Sequence, residues 1–359
     1  MDFDHTEERR MLSDTIGKFI TKNYPIEKRV IAANSDLGFS KENWLKFHEL
    51  GVSHALFSEE FNGFGGHGFD IAVVFEALGK GLVVEPIFGS LIAGDILSHS
   101  EEHSDILQDI ILGTKRVAFA HFEEQSGYEG NNIVTKASDG KISGVKSMVQ
   151  FANGVDNLIV SATDCDELKL YLVNAKADGI NISDYQTVDG GRAAEITLNN
   201  VIGKELRINA EEVLVSTLGK GILALSSEAL GIMEHIKELT IKYLQTRSQF
   251  GLQLGKFQAL QHRVAQVLLE IEQARSAIIN ASTSLQDTGD QREKSLSACK
   301  MTIGRVGQLV AEEAIQMHGG IGMTWEYELG HYAKRLIMID HELGDEDYHI
   351  AKFSSYYMS

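Results

Sequence analysis

Proline is almost missing. Pro25 and Pro86 are the only two in 359 residues, so little in the chain blocks a helix or removes a backbone donor, and long helices are easily accommodated. Cysteine is as scarce: Cys165 and Cys299 lie far apart, which excludes a disulfide framework or a cysteine metal site and fits free thiols in a reducing cytoplasm. Positive charge is the third shortage, with 33 Lys and Arg against 51 Asp and Glu and a formal net charge of −18. No local basic patch offsets it, so nucleic acid and anionic lipid are set aside as partners. Long apolar runs are also lacking. The richest stretch, Gly79 to Leu97, is broken by Lys80, Glu85, Pro86 and Asp95, which argues against a membrane span of about 18 apolar residues or more. The amino-terminal MDFDHTEERRMLSDTIGKF is charged and amphipathic and lacks a signal-like apolar core, so a cytoplasmic location is expected. No internal repeat or low-complexity segment occurs.

What is present is an ordinary globular mixture, 43% hydrophobic and 23% charged, in a chain long enough for two or three packed units. Residues 1–114 read as helical. Phe3, Met11, Ile16, Phe19 and Ile20 recur near helical spacing, and Asn43–Leu50 and Ile71–Leu82 do likewise. The glycine-rich SEEFNGFGGHGFD, Ser58 to Asp70, lies between two helical patterns, where a phosphate cradle would need a strand and a helix; it reads as a tight turn positioning Phe61, Phe64 and Phe69. Residues 115–208 change character. Val117–Phe122, Ile133–Ala137, Lys141–Val149, Leu158–Ala162, Lys169–Asn174 and Ala194–Val201 are short runs of β-formers separated by turn signals, which predicts a small antiparallel barrel or sandwich. In residues 209–359 the helical pattern returns, with long stretches from Glu211 to about Phe250, Phe257 to about Leu285 and Glu293 to about His318. Gly219, Gly221, Ala224, Ser226, Ser227, Ala229 and Gly231 crowd the first, and such small residues suit closely packed bundle helices. The expected fold is mainly α with a β middle domain: an N-terminal helical domain, a small β-barrel or sandwich, and a C-terminal four-helix bundle.

Two local motifs go further. Tyr243-Leu-Gln-Thr-Arg247-Ser-Gln249-Phe250-Gly251 is followed by Gly255-Lys-Phe-Gln258-Ala-Leu-Gln261-His262, and Gln316-Met-His-Gly319-Gly320-Ile-Gly322-Met-Thr-Trp-Glu326-Tyr327 stands later in the chain. Together they resemble the two carboxy-terminal signatures of the acyl-CoA dehydrogenase family, and the resemblance extends over essentially the whole chain. It implies FAD as cofactor, an acyl-CoA substrate, a dimer or tetramer, and electron-transfer flavoprotein as acceptor. The chemistry implied is α,β-dehydrogenation: a carboxylate removes the α-proton while flavin N5 takes hydride from the β-carbon. By resemblance, Arg247 meets the flavin diphosphate across a subunit interface, a task suited to a guanidinium fork. Phe250 packs beside that group, Gln258 lies near the adenosine, and Gln249 is counted with them as a cofactor-binding residue. Gln316, Gly319 and Gly320 form the turn under the cofactor, where glycine permits close backbone approach.

Other positions depart from the family. The usual base is a glutamate before a glycine, and this chain has Leu343-Gly344 there, with Glu342 one residue early. A second base location, before an arginine, reads Gly221-Ile222. Phe122 replaces a flavin-facing threonine, and Met148-Val149-Gln150-Phe151 replaces a tryptophan-x-threonine. The retained residues are those a subunit offers to its neighbour's cofactor, and the lost ones serve its own. This resembles the weaker subunit of heteromeric members, including steroid side-chain dehydrogenases and the small subunit of pimeloyl-CoA-type dehydrogenases; Gly344-Asp345-Glu346-Asp347-Tyr348-His349 resembles that subgroup too.

Several residues receive plainer readings. Glu228 is expected to be a buried acid bonded to a neighbouring side chain, and Glu123-Glu124 a solvated turn. The spacings of His121, His262, His318, His331, His341 and His349 match no metal-ligand pattern. Ser226-Ser227 lacks the setting of a hydrolase nucleophile. Three functions remain: a dehydrogenase subunit that completes a partner's flavin site, with a base-bearing homologue as partner; a self-sufficient homomeric dehydrogenase; and a non-catalytic acyl-CoA-binding or assembly protein on the same fold.

Overall fold

In the computed structural model of the chain, residues 6–128, 130 and 132–358 are described. The amino-terminal helices among them are α1 (Glu7–Asn23), α2 (Ile26–Ala33), α3 (Lys41–Glu49), α4 (Gly68–Lys80), α5 (Ile87–Ser98) and α6 (Ser104–Ile111). The strands are β1 (Val117–Ala120), β2 (Lys136–Ser138), β3 (Lys141–Gln150), β4 (Asn157–Asp164), β5 (Glu167–Asn174), β6 (Ile180–Gln186), β7 (Arg192–Ile202) and β8 (Lys204–Glu205). Then come α7 (Ala210–Thr246), a hairpin of β9 (Ser248–Gln249) and β10 (Leu252–Gln253), α8 (Gln258–Ser284), α9 (Asp290–His318), α10 (Leu329–His341) and α11 (Glu346–Met358). The expected order of helical, β and helical domains is the order found. The carboxy-terminal domain has five helices among the described residues, one more than the four-helix reading. Phe3 lies outside the described residues. Helix starts follow ordinary capping: Thr6 Oγ1 accepts from Arg9 N at 3.4 Å ahead of Glu7 and Glu8, and Asp70 Oδ2 accepts from His67 N at 3.1 Å.

The chain packs as two compact units, each built from separate segments. The first comprises the residues up to Ile26, His67–Val83 and Ile222–Ser359. In it α4 lies against α7 with backbones in near contact. A Cβ added at Gly79 would sit 2.1 Å from Glu228 O, and one at Gly231 would sit 2.0 Å from Glu76 O. The crossing therefore requires a glycine on each helix, Gly79 on α4 and Gly231 among the small residues of α7. By length and composition α7 is apolar enough to cross a membrane, but 78% of its apolar window is buried inside the protein.

The second unit comprises Glu27–Gly66 and Val84–Gly221. Its eight-stranded sheet runs β6-β7-β3-β2-β4-β5-β8, with β1 beside β4, over a core that includes Ile142, Val149, Leu158, Val160, Tyr171 and Ile196. The antiparallel expectation needs correction. Most pairs are antiparallel, but β1 and β2 both pair with β4 in parallel. A parallel pair needs a long connection, and β2, β3 and their loops supply it between β1 and β4. Strand β6 was not foreseen, because its residues are half-buried or exposed throughout and its apolar alternation is limited to Ile180 and Ile182.

Candidate active site and cofactor-binding segments

In the first unit, α7 ends at Thr246 and the chain leaves it as an arm. Arg247 N donates to Tyr243 O at 2.8 Å, and Leu254 N closes the arm on Arg247 O at 2.8 Å. Between them β9 and β10 pair through a turn with Phe250 at φ +55° and Gly251 at φ +79°. Phe250 is 90% exposed, an unusual place for a phenylalanine with nothing to cover it. Arg247, Gln249 and Gln258 are exposed as well, and Arg247 lacks a side-chain ion pair among the described residues. The second motif closes α9: Gly319 N caps on Ile315 O with φ +68°. Gln316, Gly319 and Gly320 are exposed, and a Cβ added at either glycine would meet nothing within 4 Å. An uncommitted guanidinium suits a diphosphate, and an open glycine turn lets a ligand approach the backbone closely. The two segments are joined by Tyr243, whose hydroxyl donates to His318 O at 3.2 Å.

Leu343, set at the base position by the sequence resemblance, heads a turn with φ +57°, followed by Gly344 at φ +105°. This turn is held by buried donors. Lys300 is fully buried on α9, and its Nζ donates to Asp340 O at 2.8 Å and Gly344 O at 2.6 Å. His349 Nε2 donates to Leu343 O at 3.0 Å. Burial pulls the Lys300 ammonium down to about 8, against the pull of Asp340, Glu342 and Asp345. Glu342 is committed elsewhere: its Oε1 accepts from Arg335 Nη1 at 2.5 Å. The same guanidinium grips Glu228 as a fork, Nε to Oε1 at 2.7 Å and Nη2 to Oε2 at 2.9 Å. Glu228 is thus the buried, side-chain-bonded acid that was expected. At Gly221-Ile222 no acid stands, and Ile222 is buried.

In the second unit, β3 carries a bulge between Lys146 and Val149. Met148 and Phe151 there have φ +54° and +48°. Met148 N donates to Glu195 Oε1 at 3.3 Å, and the Tyr185 hydroxyl lies 3.0 Å from Met148 Sδ. Phe122 is half-buried, with its carbonyl accepting from Ser147 N, and Val149 is buried. Phe122, Val149 and Phe151 thus present no side-chain hydroxyl.

Glu123 corrects the solvated-turn reading. It is 5% exposed and meets Lys146 Nζ at 2.6 Å while accepting from Val134 N and Thr135 N; Glu124 is exposed. Lys146 Nζ also bonds His121 O and Ser161 Oγ. Burial works against the Glu123 charge, yet the donors from Lys146, Thr135 and Val134 hold its carboxyl below the usual range. Burial pulls Lys146 down to about 8 and His121 to about 3. The sequence signal lay in Val145-Lys146, where the pattern puts valine outside and lysine inside. Lys146→Met is expected to destabilise the protein by about 3–5 kcal/mol, because it strands a buried carboxylate. The urea midpoint measures this, and an unchanged midpoint would count against the pair as described.

Comparison with known proteins completes this picture. Residues 6–102 match the family described as acyl-CoA dehydrogenase, N-terminal domain, and residues 212–351 match acyl-CoA dehydrogenase, C-terminal domain. The acyl-CoA dehydrogenase IpdE2 of Mycolicibacterium smegmatis is 28% identical over 333 residues, 92% of each chain. Among solved structures, the Tcur3481–Tcur3483 steroid acyl-CoA dehydrogenase (G363A variant) superposes with a TM-score of 0.90 at 25% identity, covering 98% of each chain. The ChsE4–ChsE5 complex from Mycobacterium tuberculosis superposes with a TM-score of 0.91 at 20% identity, covering 100% of this chain and 99% of that one.

Proposed function

The chain belongs to the acyl-CoA dehydrogenase family of FAD-dependent CH–CH oxidoreductases, and on that premise we propose that it acts as a subunit completing the flavin site of a base-bearing homologous partner. The observation that carries this reading is the division of its residues. The exposed Arg247 and the open Gly319-Gly320 turn are ready to receive a diphosphate, while Leu343 stands at the base position and Glu342 is tied to Arg335. The relatives named as two-polypeptide assemblies support it.

In this reading FAD, when bound, supplies the hydride acceptor for an acyl-CoA thioester. This chain's part is binding and orientation. Arg247 fits a bidentate grip on the diphosphate, with Gln249 and Phe250 beside it and Gln258 toward the adenosine. Gln316, Gly319 and Gly320 line the turn beneath, where the lack of a Cβ at the glycines leaves the backbone open to close approach. The partner supplies the carboxylate that takes the α-proton and the hydroxyls that face the flavin ring, since Phe122, Val149 and Phe151 offer none. Electron-transfer flavoprotein is the expected acceptor.

The test is co-expression with candidate homologous subunits, followed by flavin counting. Arg247→Ala is expected to weaken FAD retention by the assembly about 10-fold or more, the size of a lost charge-assisted hydrogen bond. Unchanged flavin content would remove Arg247 from the cofactor site.

A further inference from the structure

Two segments on different helices carry the cofactor-binding residues proposed above, and something must fix one against the other. One direct link between them is the pair Tyr243 and His318. Tyr243 lies one turn before Arg247 on α7, and the Arg247 amide is bonded to the Tyr243 carbonyl. His318 immediately precedes Gly319 on α9. The Tyr243 hydroxyl donates to the His318 carbonyl at 3.2 Å, and the two rings stack with centroids 4.4 Å apart and planes 27° from parallel. His318 is itself immobilised. It is 4% exposed, its Nδ1–H donates to Ala314 O at 2.8 Å, and Tyr327 closes its other side at 5.3 Å. With Nδ1 carrying the proton, Nε2 is a buried acceptor without a partner. That loss is one a phenylalanine would avoid. What the histidine adds over a phenylalanine is Nδ1–H, which fastens the ring to its own helix while its face lies against Tyr243.

We propose that the Tyr243–His318 contact is a positioning joint, setting the Arg247 arm at the spacing from the Gly319-Gly320 turn that an FAD diphosphate requires. This rests on the reading of those two segments as a cofactor half-site. Neither Tyr243 nor His318 needs to touch the cofactor. The stack and the hydroxyl bond act through the backbone on either side, because the His318 carbonyl that Tyr243 holds belongs to the peptide bond entering Gly319. Glycine there has φ +68° and open space where a Cβ would stand, so the Tyr243 bond adds to the cap of Gly319 N on Ile315 O in setting the turn.

The experiment is a double-mutant cycle on the full chain, titrated by calorimetry with FAD and with ADP. Tyr243→Phe keeps the stack and removes the hydroxyl; it should weaken binding of both ligands about 3- to 10-fold, the range of one hydrogen bond. Tyr243→Leu, which also removes the stack, should weaken it further. Arg247→Ala should weaken binding by itself, and in that background Tyr243→Phe should have almost no additional effect, since a joint matters only through the arginine it places. A purely structural tyrosine would lower affinity equally in both backgrounds, and that result overturns the joint. So would unchanged affinity in Tyr243→Phe and Tyr243→Leu. If the natural chain binds neither ligand at about millimolar concentration, or Arg247→Ala has no effect, the half-site reading itself falls and takes the joint with it.

Discussion

Purified alone, the chain is expected to dehydrogenate saturated acyl-CoA at least about 10²-fold more slowly than when assembled with a base-bearing subunit, because general-base help is typically worth about 10² to 10⁴ in rate. The argument is geometric. The turn that would present a base presents Leu343, and its conformation is fixed by Lys300 and His349 through the carbonyls of Asp340, Leu343 and Gly344. The adjacent acid, Glu342, is bound to Arg335, which also holds Glu228 through two bonds. Freeing Glu342 would mean breaking a compact cluster of ions, and a partly buried ion pair left half-broken is costly. Glu342→Gln should therefore leave the turnover of the assembly within about twofold of the natural protein, far from the loss that removal of a general base brings. Steady-state assays of the lone chain, the assembly and the variant assembly decide this.

Acid should destabilise the protein steeply before its carboxylates titrate. Burial lowers His48 and His349 from 6.5 to about 4, and His121 from 6.5 to about 3. Each ring is packed away neutral: His48 Nδ1–H donates to Ile111 O at 3.0 Å, and His121 Nδ1 meets Ser161 Oγ at 2.9 Å. As pH falls below about 6.5 the unfolded chain takes up protons at these positions and the native chain does not, so the unfolded state binds more protons and stability falls with pH. The loss continues to about 4 for His48 and His349 and to about 3 for His121. Each such ring costs about 1.4 kcal/mol for every pH unit crossed in that window, so each contributes roughly 3 kcal/mol or more. Three such groups rival the whole stability of an ordinary domain, about 5–15 kcal/mol. Urea midpoints should drop markedly between about pH 7 and about pH 5, and His349→Gln should flatten the dependence. A midpoint that stays level over that range would mean these rings are protonated in the native protein.

What could be read in advance was what is contiguous. Arg247 and Phe250, or Gly319 and Gly320, sit a few residues apart, and such local motifs are what carry the resemblance to the family. The switch of hydrophobic period near residue 115 and back near 208 likewise marked the β region, since side-chain periodicity is local. The interactions that fix the site are distant pairings. Arg335 meets Glu228 from 107 residues away, Lys300 reaches Gly344 from 44, and Lys146 finds Glu123 from 23. A lysine or arginine so placed reads as a surface charge until the fold shows it buried, which is why Glu123 passed for a solvated turn. The parallel pairing of β1 with β4 was hidden for the same reason: strand composition carries the period but not the partner.

The central claim is that this chain contributes a grip on the cofactor and not a proton acceptor. Flavin content decides it most directly: release FAD by denaturation from the isolated chain and from its assembly with a base-bearing homologue, and repeat both with Arg247→Ala and Glu342→Gln. The account predicts little retained flavin in the isolated chain and stable flavin in the assembly, lowered by Arg247→Ala and indifferent to Glu342→Gln. Full flavin occupancy in the isolated chain, with acyl-CoA-dependent turnover that Glu342→Gln abolishes, would contradict it and show a self-sufficient dehydrogenase carrying its own base.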